Sequence, residues 1–314
     1  MSLIIRKPGI LSTIQDLGRS GYQNAGVNPG GVMDTAATSI LNTVLGNQRS
    51  DAVLECHFPA PEIEFETDTV FAIGGADFDA ELDRDRLNNW SSVFAGKGAV
   101  LKFRSRLSGT RTYIAVPGGF QVDEWLGSRS TNLTAGFGGR RLVAGDRLEF
   151  RPQVELPSLR IGPSVRPHYS RFPTVRILPG SESDFLTAIS ERDFLNEGFT
   201  LTNDCDRMGY RLSGKPLYML DRSEMVSAAV TFGAIQLLPD GQLIVLMADH
   251  QTSGGYPRIG NVISADLPLL AQCGPGDGVS FEKVSIDVAE GLALQFENEL
   301  NFLRVGCRLQ KQNA

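Results

Sequence analysis

Cysteine and histidine are scarce in this chain of 314 residues, with four of the former and three of the latter. Cys56, Cys205, Cys273 and Cys307 lie far apart and no pair forms C-x-x-C. His57, His168 and His250 make no H-E-x-x-H or other zinc spacing. That pattern encodes no structural metal and reads as buried free thiols in a reducing compartment. Basic charge is short as well: the formal net charge is −6, whereas a non-specific nucleic-acid binder needs a basic face. No apolar segment approaches the roughly 20 residues of a membrane span. The first residues, Met1-Ser2-Leu3-Ile4-Ile5-Arg6-Lys7, place their charge after a brief apolar run, the reverse of signal-peptide order. A cytoplasmic protein with neither nucleic acid nor membrane as partner is expected. Also missing are the G-x-S-x-G nucleophile elbow, the Walker A loop and the G-x-G-x-x-G fingerprint, so no self-contained catalytic signature stands in the chain.

What is present is a succession of short apolar or alternating runs punctuated by Gly, Pro, Asp and Asn, the pattern of short strands. Val70–Ile73, Val100–Phe103, Tyr113–Val116, Arg147–Phe150 and Thr174–Leu178 read as strands. Helical spacing is limited to three places. Residues 34–45 follow an Asp34 cap, carry Ala37, Ile40, Leu41 and Val44 on one face, and stop at Gly46. Residues 183–195, behind Ser181 and Ser183, and residues 286–304 are the other two. The expected architecture is mainly β with a few helices. Residues 152–173 hold five prolines and little periodicity, which divides the chain into a β-rich domain over 1–155, a linker over 156–172 and a second domain over 173–314. The double glycines Gly74-Gly75, Gly118-Gly119 and Gly254-Gly255 each follow an apolar run. They suggest a recurring unit in which a strand enters a Gly-Gly turn.

Polar groups that could carry chemistry gather in four stretches. "TIQDLGRSGYQ" (13–23) collects Gln15, Asp16, Arg19, Tyr22 and Gln23 around two glycines, a plausible ligand loop or an ordered turn with an Asp16–Arg19 pair. "LGSRST" (126–131) offers Ser128, Arg129 and Ser130, a forked cation among hydroxyls that suits a carboxylate or phosphate. In "NDCDRMGYRL" (203–212) Asp206 and Arg207 precede a Met-Gly-Tyr turn. Finally, "DHQTSGGYPRIG" (249–260) follows a buried-looking run with Asp249, His250, Gln251, Thr252, Gly254, Gly255 and Tyr256. Asp249 and His250 are of the acid–base type, and Gln251, Thr252 and the glycine amides could hold a developing oxyanion. Without a nucleophile, the stretch describes binding more readily than catalysis.

In order, "KPGILSTIQDLGRSGYQNAGV", "GGVMD", "LGNQRSDAVLE", "AVPGGF", "LGSRST", "DRMGYRL" and "GAIQLLPDGQLIVLMADHQTSGGYPRIGNVISADLPLLAQCGPGD" resemble the KipA/allophanate hydrolase subunit 2 family. Its members include the C subunit of the bacterial 5-oxoprolinase and the second half of the carboxyltransferase domain of urea carboxylase. The resemblance implies two cyclophilin-like β-barrel domains. It implies work inside a complex with a KipI-like B subunit and an A subunit, opening 5-oxo-L-proline to L-glutamate with ATP used by the complex. A small amide is the implied substrate, and either a homodimer or a higher heteromer is compatible. Asp249, His250, Arg207 and Asp206 become the catalytic candidates. The substrate-binding candidates are Gln15, Asp16, Arg19, Tyr22, Ser128, Arg129, Ser130, Gln236, Gln251, Thr252, Gly254, Gly255 and Tyr256.

Two departures from the family pattern stand out. His250 occupies a place that usually carries Arg, which makes charge there pH-dependent. Asp204 and Cys205 stand where a serine-rich lead is usual. No Met-Lys-Met biotin-attachment motif occurs, so biotin is not attached to this chain and carboxybiotin would arrive on another protein. The resemblance leaves two other activities open: carboxyl transfer to urea or a related amide, and KipA-like sequestration of a KipI-like kinase inhibitor.

Overall fold

The computed structural model describes residues 1–152, 158–220 and 225–312. Residues 153–157, which contain the expected boundary at 155, lie outside the described residues. The chain folds into two compact units, one of Met1–Arg19, Asp34–His168 and Glu297–Ala314, the other of Ser20–Met33 and Tyr169–Phe296. The fold is mainly β, with four α-helices among the described residues: α1 (Thr35–Leu45), α2 (Ala188–Asn196), α3 (Leu267–Ala271) and α4 (Ile286–Gln312).

The first unit holds its strands in two sheets. One has six strands in the order Arg147–Glu149, Ser2–Lys7, Glu62–Phe65, Val100–Phe103, Ala80–Leu82 and Asp85–Arg86. The other has five, in the order Ser12–Gln15, Val53–His57, Ser108–Ala115, Thr69–Asp77 and Ser91–Ala95. Alternation along the strands sends Leu3, Ile5, Ile63, Phe65, Leu101, Phe71 and Ile114 into one buried cluster. Helix α1 is fixed at both ends as its sequence predicts: the Asp34 carboxylate accepts from the Ala37 N–H at 2.8 Å, and Gly46 closes the helix in the left-handed conformation.

The second unit is a closed barrel. Its seven strands run Thr174–Pro179, Arg258–Val262, Ala234–Leu237, Leu243–Leu246, Gly209–Ser213, Phe199–Cys205 and Gly278–Lys283, and the last pairs in parallel with the first. Closure removes the exposed edges that an open sheet would present. Val175, Ile177, Tyr210, Ile235, Val245, Ile259 and Phe281 fill the interior, joined by Met33 from the N-terminal segment.

The five expected strands all form. The helix expected over 183–195 starts later. Ser183–Phe185 is a single 3-10 turn, Leu186 runs extended and bridges Met219, and α2 begins at Ala188 behind a Thr187 cap. Tertiary pairing of Leu186 thus overrides the helical spacing. Helix α4 continues eight residues beyond the expected end at 304. The Gly-Gly unit does not recur. Gly118 and Gly119, at φ +67° and +66°, do form a turn. Gly74 and Gly75 instead lie inside the strand Thr69–Asp77, and a Cβ on Gly75 would meet the Arg111 carbonyl at 2.6 Å. Gly254 belongs to the short strand Ser253–Gly254, paired with Ala228–Ala229. Glycine marks close backbone approach at one place and a turn at another, and spacing alone does not separate the two.

Candidate functional site

In the first unit, the strand Ser12–Gln15 delivers Asp16 into a nest of donors. One carboxylate oxygen accepts from the Ser128 and Ser130 hydroxyls, each at 2.6 Å, and from the Gly18 N–H at 2.8 Å. The other accepts from the Arg129 N–H at 2.6 Å. The Asp16 N–H returns a bond to Ser130 Oγ at 2.9 Å. Two stretches more than 110 residues apart, "TIQD" and "SRST", are therefore tied through a single buried carboxylate. Arg19, 1% exposed, donates to the Ser130 carbonyl at 2.6 Å and stacks its guanidinium 5.4 Å from the Trp125 ring centroid and 4.9 Å from that of Phe137. Gln15 is fully buried and donates to Thr13 Oγ1 and the Thr131 carbonyl. Arg129 reaches outward and pairs with Glu124 at 3.1 Å. Next to this nest, Ile14, Trp125, Thr131, Phe137, Gly138 and Arg140 help line a cavity of about 660 Å³, a volume in the small-molecule range.

In the second unit, Arg207 and Asp249 meet although 42 residues separate them. The guanidinium grips the carboxylate with two bonds, Nε at 2.8 Å and Nη2 at 3.0 Å, and Nη2 also donates to the Gly31 carbonyl. The pair is nearly closed to solvent, Asp249 being 2% exposed and Arg207 9%. The Asp249 N–H donates to the Arg207 carbonyl at 2.7 Å, and Asn28 Nδ2 donates to the Asp249 carbonyl at 2.9 Å. The segment Ser20–Met33 is thereby stitched onto the barrel at Asn28, Gly31 and the buried Met33. A bidentate guanidinium–carboxylate fork fixes direction as well as distance.

His250 follows with its ring buried. Burial pushes its pKa below the ordinary value of 6.5, so the ring is neutral at neutral pH. Its Nδ1 lies 2.5 Å from the Gln251 carbonyl, which can only accept, so Nδ1 carries the proton and Nε2 is left as an acceptor. Gln251 and Thr252 are half-buried, while Gly255 and Tyr256 are exposed. Gln236 is buried and crosses to the Tyr256 carbonyl at 3.5 Å. A Cβ on Gly254 would come within 2.5 Å of Gln236 Nε2, so a larger residue there would displace the end of that side chain.

The residues expected to act together fall into two groups. Gln15, Asp16, Arg19, Ser128, Arg129 and Ser130 share the first unit, and Arg207, Gln236 and 249–256 share the second. Within the stretch 13–23, the residues up to Arg19 belong to the first unit and Tyr22 and Gln23 to the second. Asp206 is exposed and uses its carboxylate to accept from the Met208 and Gly209 N–H groups, building the turn that aims Arg207. Cys205 is held by burial at a pKa of about 11, which keeps it a thiol. Asn28, Trp125 and Phe137 were not among the residues expected from the sequence. Trp125 lies three residues before Ser128 and could have been found as an aromatic beside an arginine-bearing stretch. Nothing in the sequence marks Asn28. Among the described residues no group of three or more His, Cys, Asp or Glu could hold a metal ion, and no helix is long and apolar enough to cross a membrane.

The family model "Carboxyltransferase domain, subdomain A and B" matches residues 25–283. The chain is 37% identical over 296 residues to the 5-oxoprolinase C subunit of Haemophilus influenzae, covering 93% of this chain and 94% of that protein. It is 34% identical over 314 residues to the 5-oxoprolinase C subunit of Escherichia coli K12, covering 99% and 100%. The crystal structure of the Kluyveromyces lactis urea carboxylase superposes with a TM-score of 0.89 at 26% identity, covering 96% of this chain but 29% of that one.

Proposed function

Because the chain belongs to the carboxyltransferase-domain family of subdomains A and B, we propose that it is the C subunit of a bacterial, cytoplasmic, ATP-dependent 5-oxoprolinase. With a KipI-like B subunit and an A subunit it would open 5-oxo-L-proline to L-glutamate. The observation that carries this reading is the end-to-end match with oxoprolinase subunits. In the overall reaction the lactam C–N bond breaks, water supplies hydroxyl to the acyl carbon, and the nitrogen gains a proton. The step is coupled in the complex to cleavage of ATP to ADP and phosphate, which consumes a second water overall. Biotin is not attached to this chain.

This chain's part is to hold the amide. Gln251 and Thr252 reach solvent on a turn whose direction is set by the Arg207–Asp249 fork. His250 Nε2 is an acceptor that can take a hydrogen bond or a proton. Such a set binds an amide through its N–H and C=O edges. A second reading rests on the urea carboxylase likeness: carboxyl transfer from carboxybiotin, delivered by another protein, to urea or a related amide. Co-purification with the A and B subunits separates the two. ATP-dependent release of glutamate from 5-oxo-L-proline is expected. An intact complex that releases no glutamate overturns the proposal, and carboxylation of urea by the complex with a biotin carboxylase supports the second reading.

A further inference from the structure

The cavity of about 660 Å³ beside Trp125 lies wholly within the first unit, whereas the amide-holding turn belongs to the second. Ile14, Val122, Leu142 and Leu148 give it an apolar surface. Two rings complete that surface: Trp125 and Phe137 stand 4.5 Å apart with their planes at 40°, and Trp125 is 39% exposed. Arg19 is buried and does not line the cavity, so its guanidinium sits behind both rings. A cation there draws π charge away from the faces turned to the cavity. Those faces suit a flat uncharged body better than a second cation.

The charged part of the wall decides what such a body carries. Arg140 grips Asp146 with two bonds, at 2.8 and 2.6 Å, and this guanidinium holds the Asp146 carboxyl below its ordinary value. Arg147 Nε donates to Glu66 at 2.6 Å, and Glu124 is paired with Arg129 at 3.1 Å. Both arginines of the wall are therefore already answered by carboxylates, and an anion finds no uncommitted partner among them. Asp123 differs. It lines the cavity beside Trp125, and no described residue bonds or pairs with its carboxylate. One uncompensated negative charge next to an aromatic wall matches a ligand with a flat body and one positive group. We propose that this cavity binds a small planar organic cation, its body stacked on Trp125 and its amidinium, guanidinium or ammonium group on Asp123.

Equilibrium dialysis of the full chain at neutral pH against benzamidine, benzamide and benzoate tests this, since one flat ring then carries a positive, a neutral and a negative group. Benzamidine is expected to bind with a Kd of about 1 mM or tighter. It should quench the emission of Trp125 and spare that of Trp90, which is 6% exposed. Benzamide should bind about three- to tenfold more weakly, and benzoate more weakly still. Asp123→Asn should lower benzamidine to the level of benzamide with an unchanged thermal midpoint, because the side chain is exposed. Trp125→Leu should abolish the quenching and weaken all three probes by up to about tenfold. A benzamidine affinity indifferent to Asp123→Asn, or benzoate bound as tightly as benzamidine, overturns the proposal. So does the absence of saturable benzamidine uptake at about ten times the expected Kd.

Discussion

Asp16 and Asp249 are both buried carboxylates that organise a turn, and they do it by opposite means. Asp16 is held by two hydroxyls and two backbone N–H groups drawn from two remote stretches. Asp249 is held by one guanidinium. In the first arrangement the carboxylate is the common acceptor of many neutral donors, and none of them can be satisfied without it. In the second, two charges compensate each other and each is most costly when the other is missing. The first builds a scaffold; the second aims a turn whose polar ends stay open to solvent.

Removing Asp16 is the hardest test of the scaffold. Asp16→Ala strands the hydroxyls of Ser128 and Ser130 and two N–H groups, at about 1–3 kcal/mol per buried unsatisfied group. A loss of about 4–6 kcal/mol by denaturant unfolding is expected, and a loss below about 1 kcal/mol would break the comparison. Arg207→Leu should cost about 3–5 kcal/mol, because the Asp249 charge is then buried alone. Arg207→Leu/Asp249→Leu should recover much of that loss, and a double change that merely adds the two single losses would show that the pair is not coupled. Arg19→Lys keeps the charge but gives up the planar stack on Trp125 and Phe137, an expected loss of about 1–2 kcal/mol.

The smallest effect concerns His250. Its folded pKa is depressed by burial, so the unfolded chain binds the proton more readily. Its contribution is intact above the ordinary value of 6.5 and is lost as pH falls below it toward the folded value. Thermal midpoints of the wild type and of His250→Gln should therefore converge as the pH is lowered through that window. A wild-type midpoint that rises on acidification would reverse the sign.

The fold was legible wherever one local signal decided the outcome. Asp34 and Gly46 bracket α1, and apolar alternation marks the strands at 70, 100 and 174. It was illegible where tertiary contact decided. Leu186 is spaced for a helix but is claimed by a bridge to Met219. The three Gly-Gly pairs look alike in sequence and serve as a strand interior, a turn and a strand end. Within the candidate site, residue types were readable and partnerships were not. Asp206 and Arg207 are neighbours in sequence, yet Arg207 bonds Asp249 while Asp206 caps a turn. Asn28 makes its bond to the Asp249 carbonyl from 221 residues away, a distance no local pattern spans.

The division between the scaffold around Asp16 and the proposed substrate-binding turn is tested most directly by measuring kcat and thermal midpoint together for Ser130→Ala and Thr252→Val in the proposed complex with the A and B subunits. The account predicts that Ser130→Ala lowers the midpoint and largely spares kcat, while Thr252→Val lowers kcat for glutamate release and spares the midpoint. The reverse pattern would contradict it.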